Sequence, residues 1–306
     1  MISNQNKIII GSRSSPLAQK QVEIFLDSLG KVHGNEILSK IEKRYFKTAG
    51  DKLLHANFMD FGYKGLFTKE IDEALVKKEI TFAVHSLKDL PTKLPRNLEI
   101  VAVLRREEVN DVIVSKNFQT LEEIASNSVV GTSSLRRYIQ LKKFRKDLRI
   151  KEIRGNVDTR IKKVFDGEYD AVILAAAGLN RLGGLYPFKK INVKTIVPAA
   201  GQAAIGIVAH KNSNQNHLLK NINHHQTFEE VMCERNFLEA LDGSCKTPIG
   251  ANAKLKYNSK GKILFRYMVS SNDFKNFFKG IDYFDSNSCT SQSYDLGSVL
   301  KKKINE

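Results

Sequence analysis

Between residues 7 and 175, short apolar runs of strand length alternate with longer segments of helical periodicity, and this constrains the fold more than any other feature. Lys7–Ile10 reads as a strand and Ser14–Leu29 as an amphipathic helix with Pro16 in its first turn, where proline is tolerated. Ile41–Thr48 is a second strand. Leu66–Lys78 carries Leu66, Phe67, Ile71, Ala74, Leu75 and Val76 at helical spacing. Thr81–His85, Glu99–Leu104 and Asp111–Val114 are further strands. The pattern then resumes with strand Val129–Val130, helix Ser134–Phe144, strand Arg149–Ile153, helix Val157–Phe165 and strand Ala171–Ala175. Such alternation builds βαβ units on parallel or mixed sheets, so the fold class is α/β. Two lobes are expected, one from residues 1–105 with a return segment 200–222, the other from 106–199. Residues 223–306 differ. A helical stretch His217–Leu241 bends at His224–Thr227, strand-like runs Ala251–Tyr257 and Ile263–Val269 follow, and a polar Ser-rich stretch leads to a closing helix. These form a smaller α+β domain. No internal sequence repeat is visible.

The chain has 49 Lys and Arg against 33 Asp and Glu, a net charge of +16, which calls for an anionic partner: nucleic acid, an anionic membrane or a polyanionic small molecule. The charge is concentrated. From Gly131 to Val164, twelve Lys and Arg face only Asp147, Glu152 and Asp158, an excess of nine. Within that window Arg136, Arg137, Arg154 and Arg160 flank turns, and a guanidinium forks onto carboxylate or phosphate as lysine does not. Three cysteines, Cys233, Cys245 and Cys289, lie outside any CxxC pair. That argues against a metal cluster or disulfide framework and suits a reducing compartment. The first residues lack a signal-peptide apolar core, and no run reaches the ~20 apolar residues of a membrane span, so a cytoplasmic protein without a membrane partner is expected.

Three strand-to-helix turns carry the chemistry of anion binding. Gly11-Ser12-Arg13-Ser14-Ser15-Pro16, Gly131-Thr132-Ser133-Ser134-Leu135-Arg136-Arg137 and Arg154-Gly155-Asn156-Val157 each end a strand and open a helix. Unpaired backbone N–H groups, hydroxyls and the positive helix end all attract an anionic oxygen there. Simple capping explains one such turn, but three turns each bearing arginine favour a shared anionic ligand. None matches the phosphate-loop or dinucleotide glycine patterns.

Ala83-Val84-His85-Ser86-Leu87-Lys88-Asp89-Leu90-Pro91 sets a Lys–Asp pair directly after an apolar strand, where α/β sheets present ligands. Such a pair is ordinarily a solvated ion pair. The functional alternatives are a carboxylate that moves a proton or stabilises a developing cation, and a lysine that forms a Schiff base. His85 reads as a structural strand-end residue. Cys245 sits in the loop Leu241–Gly250 beside Lys246, which favours its thiolate, although a lone loop cysteine is more often structural.

Taken in order, Gly11–Ala18, Lys64–Glu70, Ala83–Pro91, Val130–Arg137, Arg154–Arg160, Leu174–Arg181 and Gly243–Gly250 resemble hydroxymethylbilane synthases, also called porphobilinogen deaminases, from about residue 7 to 255. The resemblance implies two periplasmic-binding-protein-like α/β lobes with mixed sheets around a cleft, plus the smaller C-terminal domain. It implies a dipyrromethane cofactor thioether-linked to Cys245, and the protein is expected to be a monomer. Four molecules of porphobilinogen are then joined head to tail with loss of ammonia, and hydrolysis releases hydroxymethylbilane. By the same match, Lys88, Ser134, Arg136, Arg137 and Arg160 bind the cofactor, and Arg13, Ser15, Arg154 and Arg181 the substrate. Asp89 is the catalytic carboxylate, and no metal takes part. The chemistry agrees: each ring brings an acetate and a propionate, whose crowding demands cations.

Three departures from the family pattern stand out. The usual Asp-Pro-Arg-Asp reads Glu108-Val109-Asn110-Asp111, Ala203 replaces a customary glycine, and Asp158 adds an acid to a basic turn. Asp51–Gly65, with Gly62 and Gly65, has the composition of a closing lid. Two other classes compete with an enzyme. A nucleic-acid-binding protein explains +16 but lacks a recognised motif or an aromatic stacking platform, so no nucleic-acid partner is expected. A non-catalytic anion-binding module predicts no turnover for Asp89 to support.

Overall fold

A computed structural model describes residues 7–52, 65–184, 186–243, 247–256 and 261–305. The chain begins with β1 (Ile8–Arg13), α1 (Pro16–His33), β2 (Ile41–Phe46), α2 (Ala49–Lys52), α3 (Lys69–Val76), β3 (Phe82–Ser86) and β4 (Leu98–Val103). Next come β5 (Asp111–Ser115), β6 (Val129–Gly131), α4 (Leu135–Phe144), β7 (Arg149–Lys151), α5 (Val157–Phe165), β8 (Ala171–Ala175), α6 (Ala176–Arg181) and β9 (Lys189–Lys190). Then β10 (Ile205–His210), α7 (His225–Ala240), β11 (Ile249–Lys256), β12 (Lys262–Ser270), β13 (Phe277–Asp285) and α8 (Cys289–Asn305) complete it.

The architecture is mixed α/β: two sheet-and-helix lobes and a smaller C-terminal sheet with helices. The first sheet has the order β2-β1-β3-β10-β4, with β1 parallel to β2 and β3 and with β10 antiparallel to β3 and β4. The second has the order β7-β6-β8-β5-β9, with β6 parallel to β7 and β8 and with β5 antiparallel to β8 and β9. The two sheets thus share one topology that no sequence repeat announces. In each, the fourth strand is antiparallel and belongs to the segment that has just crossed from the other lobe. A buried cluster of Ile8, Ile10, Val22, Phe25, Leu29, Phe82, Val84 and Ile207 anchors α1 on the first sheet.

The chain carries three sheets but forms two compact units, 1–106 with 204–228 and 107–203 with 229–306. The C-terminal sheet shares a unit with the middle lobe for a local reason. Ile139, Val197 and Met268 bury one another, Ala251 N–H donates to Pro198 O at 2.9 Å, and a Cβ on Gly250 would lie 2.8 Å from Val197 O. That sheet is antiparallel, β11-β12-β13, packed with Phe237, Cys233 and Leu300 of α7 and α8. Strand β13 falls in the stretch that the sequence presents as polar. Lys279, Asp282 and Asp285 interrupt its apolar pattern, and Gly280 lies where a Cβ would meet the Tyr267 hydroxyl at 2.4 Å. Among the described residues no helix is long and apolar enough to cross a membrane.

Candidate functional site

In the first unit, β1 and β3 run parallel in register (Ile10 opposite Phe82, Gly11 opposite Ala83) and end side by side. Ser12 Oγ, fully buried, donates to Val84 O at 3.0 Å and ties the two strand ends together. The chain leaves β1 through Arg13 and enters α1 at its N-cap Ser15, whose Oγ accepts from Ala18 N at 3.4 Å. It leaves β3 through Ser86 into one tight 3₁₀ turn, Leu87–Asp89, pinned by Leu87 N–H to Ala204 O at 3.0 Å. Arg13, Ser15, Lys88 and Asp89 therefore follow the C-terminal ends of two adjacent strands of one sheet. The Arg13 guanidinium lies over the Phe67 ring at 4.3 Å, and Gln21 Nε2 donates to Ser86 Oγ at 2.6 Å. Asp89 is half-buried, and among the described residues no hydrogen bond or ion pair engages its carboxylate. His85 is buried with Nε2 unpartnered; burial first, and Arg13 second, lower its pKa to about 4. It is neutral at pH 7, in keeping with a structural role.

In the second unit, Ser134 caps α4, its Oγ accepting from Arg137 N at 3.4 Å, while Ser133 Oγ donates to Ile153 O at 2.5 Å. The next residues turn inward. Arg136 Nη1 donates to Asp111 Oδ2 at 2.7 Å and to Val197 O at 2.7 Å. Arg137 donates to Asp111 Oδ1 from Nη2 at 2.7 Å and to Ile173 O from Nη1 at 2.8 Å. Gln202 Nε2 completes the ring around Asp111 at 3.0 Å. Burial alone would push the Asp111 carboxyl up, but Arg136 and Arg137 outweigh it and hold the group far below the usual carboxylate range. Burial, with Arg137 alongside, lowers the Arg136 pKa even with Asp111 in contact. Two cations share one anion here, so the carboxylate is satisfied and the cations are in excess.

The remaining arginines line neighbouring turns. Arg154 donates from Nε to Glu152 Oε1 at 2.9 Å. Arg160 donates from Nε to Gly155 O at 2.7 Å, and among the described residues no carboxylate contacts it. Burial, then Arg137, bring its guanidinium down to about 10. Arg181 is bound by Glu107 Oε1 at 2.6 Å and Ala203 O at 2.7 Å. The fold gives three of the arginines that the sequence assigns to ligands partners within the protein. Arg136, Arg137 and Arg181, assigned there to ligand carboxylates, have guanidinium groups tied to Asp111 and Glu107, because cations this deeply buried require anions of their own. Sequence reasoning missed both acids. Asp111 offered a signal, as the one charged residue in an otherwise apolar strand; Glu107 offered none.

Cys245 lies outside the described residues, as do Ser244, Lys246 and most of the lid-like segment Asp51–Gly65. The elements that hold the cysteine loop are described. Gly243 N–H closes the end of α7 on Leu238 O at 2.9 Å, Asp242 pairs with Lys301, and β11 resumes at Ile249. Among the described residues no cluster of His, Cys, Asp and Glu could hold a metal ion.

Comparison with known proteins agrees along nearly the whole chain. A family model described as "Porphobilinogen deaminase, dipyromethane cofactor binding domain" matches residues 8–217, and one described as "Porphobilinogen deaminase, C-terminal domain" matches 228–305. Curated relatives named porphobilinogen deaminase include one from Nitratiruptor sp., 43% identical over 83% of this chain and 80% of its own length. The Chloroherpeton thalassium relative is 42% identical over 89% of this chain and 85% of its own. That of Campylobacter jejuni is 39% identical over 90% and 93%. Among solved structures, an ancestral cationic amino acid solute-binding protein is 11% identical with a TM-score of 0.44, over 71% of this chain and 88% of that one.

Proposed function

Because the chain belongs to the porphobilinogen deaminase family, we propose that Asp89 is its catalytic carboxylate and Cys245 the covalent attachment point of its dipyrromethane cofactor. The activity is that of hydroxymethylbilane synthase, a transferase of tetrapyrrole and haem biosynthesis: four porphobilinogen molecules condense head to tail, each losing ammonia, and hydrolysis frees linear hydroxymethylbilane. The observation that carries the site assignment is the surplus of buried positive charge around Arg137 and Arg160. A donor set with more guanidinium than carboxylate fits a ligand bearing an acetate and a propionate on every ring.

When bound, the cofactor supplies the pyrrole carbon to which the first substrate couples. The protein's own residues do the rest. Lys88, Ser134, Arg136, Arg137 and Arg160 hold the cofactor's carboxylates, Asp111 fixing the two adjacent arginines so that their remaining donors need no reorganisation. Arg13, Ser15, Arg154 and Arg181 hold those of the substrate. Asp89, whose carboxylate has no partner among the described residues, accepts from the pyrrole N–H, stabilises the cation left when ammonia departs, and takes up the proton released after coupling.

The same reading gives a monomer acting in the cytoplasm on a small molecule, with neither nucleic acid nor membrane as partner. Two free buried thiols support a reducing compartment. The test is the intact mass of the purified protein. An adduct of two pyrrole units, absent from Cys245→Ala, is expected; an unmodified wild-type mass would overturn the attachment.

A further inference from the structure

Two cysteines that the reaction does not use lie against each other in the second unit. Helices α7 and α8 approach so closely that a Cβ on Gly297 would sit 2.8 Å from both Ala240 Cβ and Phe237 O. The same contact brings Cys233 of α7 onto Cys289, the first residue of α8. The Cys233 S–H donates to Cys289 O at 3.5 Å, and both side chains lie in one buried cluster. Both are reduced, with 0% and 3% of their surfaces exposed.

The pair is chemically asymmetric. Contact with the Cys233 side chain pulls the Cys289 thiol down despite its burial, with the Thr290 amide helping. The same contact, together with burial, drives Cys233 far up. Cys289, at the start of α8 directly after the partly exposed turn Ser286–Ser288, is the thiol nearer solvent and is taken as the nucleophile, with Cys233 already beside it as the resolving thiol.

We propose that Cys233 and Cys289 are a reversible oxidation site that closes to a disulfide on exposure to hydrogen peroxide. The Cys289 thiolate attacks one peroxide oxygen, the O–O bond breaks, and hydroxide leaves a sulfenic acid. The Cys233 sulfur then attacks that sulfur; the S–S bond forms, the S–O bond breaks, and the departing hydroxide takes the Cys233 proton as water. Two thiols lose two electrons and two hydrogens, and one peroxide becomes two waters. The cross-link encloses the whole C-terminal sheet and the Cys245 loop between its ends.

The test is a non-reducing peptide map of the full-length protein after treatment with hydrogen peroxide and alkylation. The expected product is a peptide pair joining Cys233 to Cys289, two hydrogens lighter than the separate thiol peptides and released by dithiothreitol. In Cys233→Ser, a dimedone probe should trap several-fold more sulfenic acid at Cys289 than in the wild type. Recovery of both wild-type thiols in alkylated form, at peroxide doses that convert methionines to sulfoxide, overturns the proposal. So does Cys289 sulfinic acid without a cross-link, or a link from either residue to Cys245. The wild-type map decides the matter even if a variant folds poorly.

Discussion

Replacing Asp111 by asparagine removes one negative charge from a site where, among the described residues, no other carboxylate contacts the two guanidinium groups. The side chain has no exposed surface and receives Arg136 at 2.7 Å, Arg137 at 2.7 and 3.2 Å, and Gln202 at 3.0 Å. Asparagine keeps the shape, but its amide nitrogen opposes a donor instead of accepting from it. Breaking a buried pair by removing one partner costs about 3–5 kcal/mol, because the other charge is left uncompensated. Two arginines share this acid, so ~4 kcal/mol is expected from the unit formed by 107–203 and 229–306. Urea unfolding at pH 7, followed by far-UV circular dichroism, should show the midpoint fall with little change in slope. The matched control is Asp158→Asn, an exposed residue, expected within ±0.5 kcal/mol. The pH dependence has a definite sign. The folded pKa of Asp111 is depressed, so its contribution is present above the unfolded value near 4 and is lost as pH falls toward the folded value. The gap between wild type and variant should therefore narrow below about pH 4. A loss under about 1 kcal/mol at pH 7 would refute the account of two cations depending on one carboxylate.

Other outcomes follow from the same geometry. Asp89→Ala should lower turnover by about 10²–10⁴-fold with an unchanged circular dichroism spectrum, and near-wild-type activity would remove it from the mechanism. Ala203 occupies the left-handed region at φ 69°, where its methyl group costs roughly 1–2 kcal/mol. Ala203→Gly should stabilise by about 0.5 kcal/mol after the added freedom of the unfolded chain is deducted; a lower melting temperature would contradict this. His85, brought down to about 4, favours the folded state above the unfolded histidine value near 6.5 and opposes it as pH falls toward 4. Its ring resonances should show the neutral form down to pH 5, and a midpoint near 6.5 by NMR would disprove the burial argument.

Local signals carried far in this chain. The helix Val157–Phe165 and the strand Ala171–Ala175 lie where hydrophobic period alone placed them, and the three arginine-bearing turns do join strand ends to helix starts. What local pattern does not encode is pairing across long separations. Asp111 meets arginines 25 and 26 positions away, and Glu107 meets Arg181 across 74. Periodicity treats Asp111 as the start of a strand, and charge counting treats the arginines as free cations. Their mutual neutralisation exists only once β5 and β8 pair and α4 lies beside them. Strand β13 was hidden differently: as an edge strand it tolerates charge on its exposed face, so its apolar rhythm is broken. Asp89 stands out in sequence by its place after an apolar strand, and the absence of a partner for its carboxylate among the described residues emerges only from the fold.

The order of strands in the first sheet has a consequence for how the protein is made. Strand β10 lies between β3 and β4, so β4 has no hydrogen-bonding neighbour until residues 205–210 exist. Every strand of the second sheet is complete by residue 190. On the ribosome the later-encoded sheet can therefore close first, while the earlier one waits with an apolar slot open. A nascent chain halted before residue 205 presents that slot to chaperones, and a free segment carrying the sequence of β10 would be the natural competitor for it.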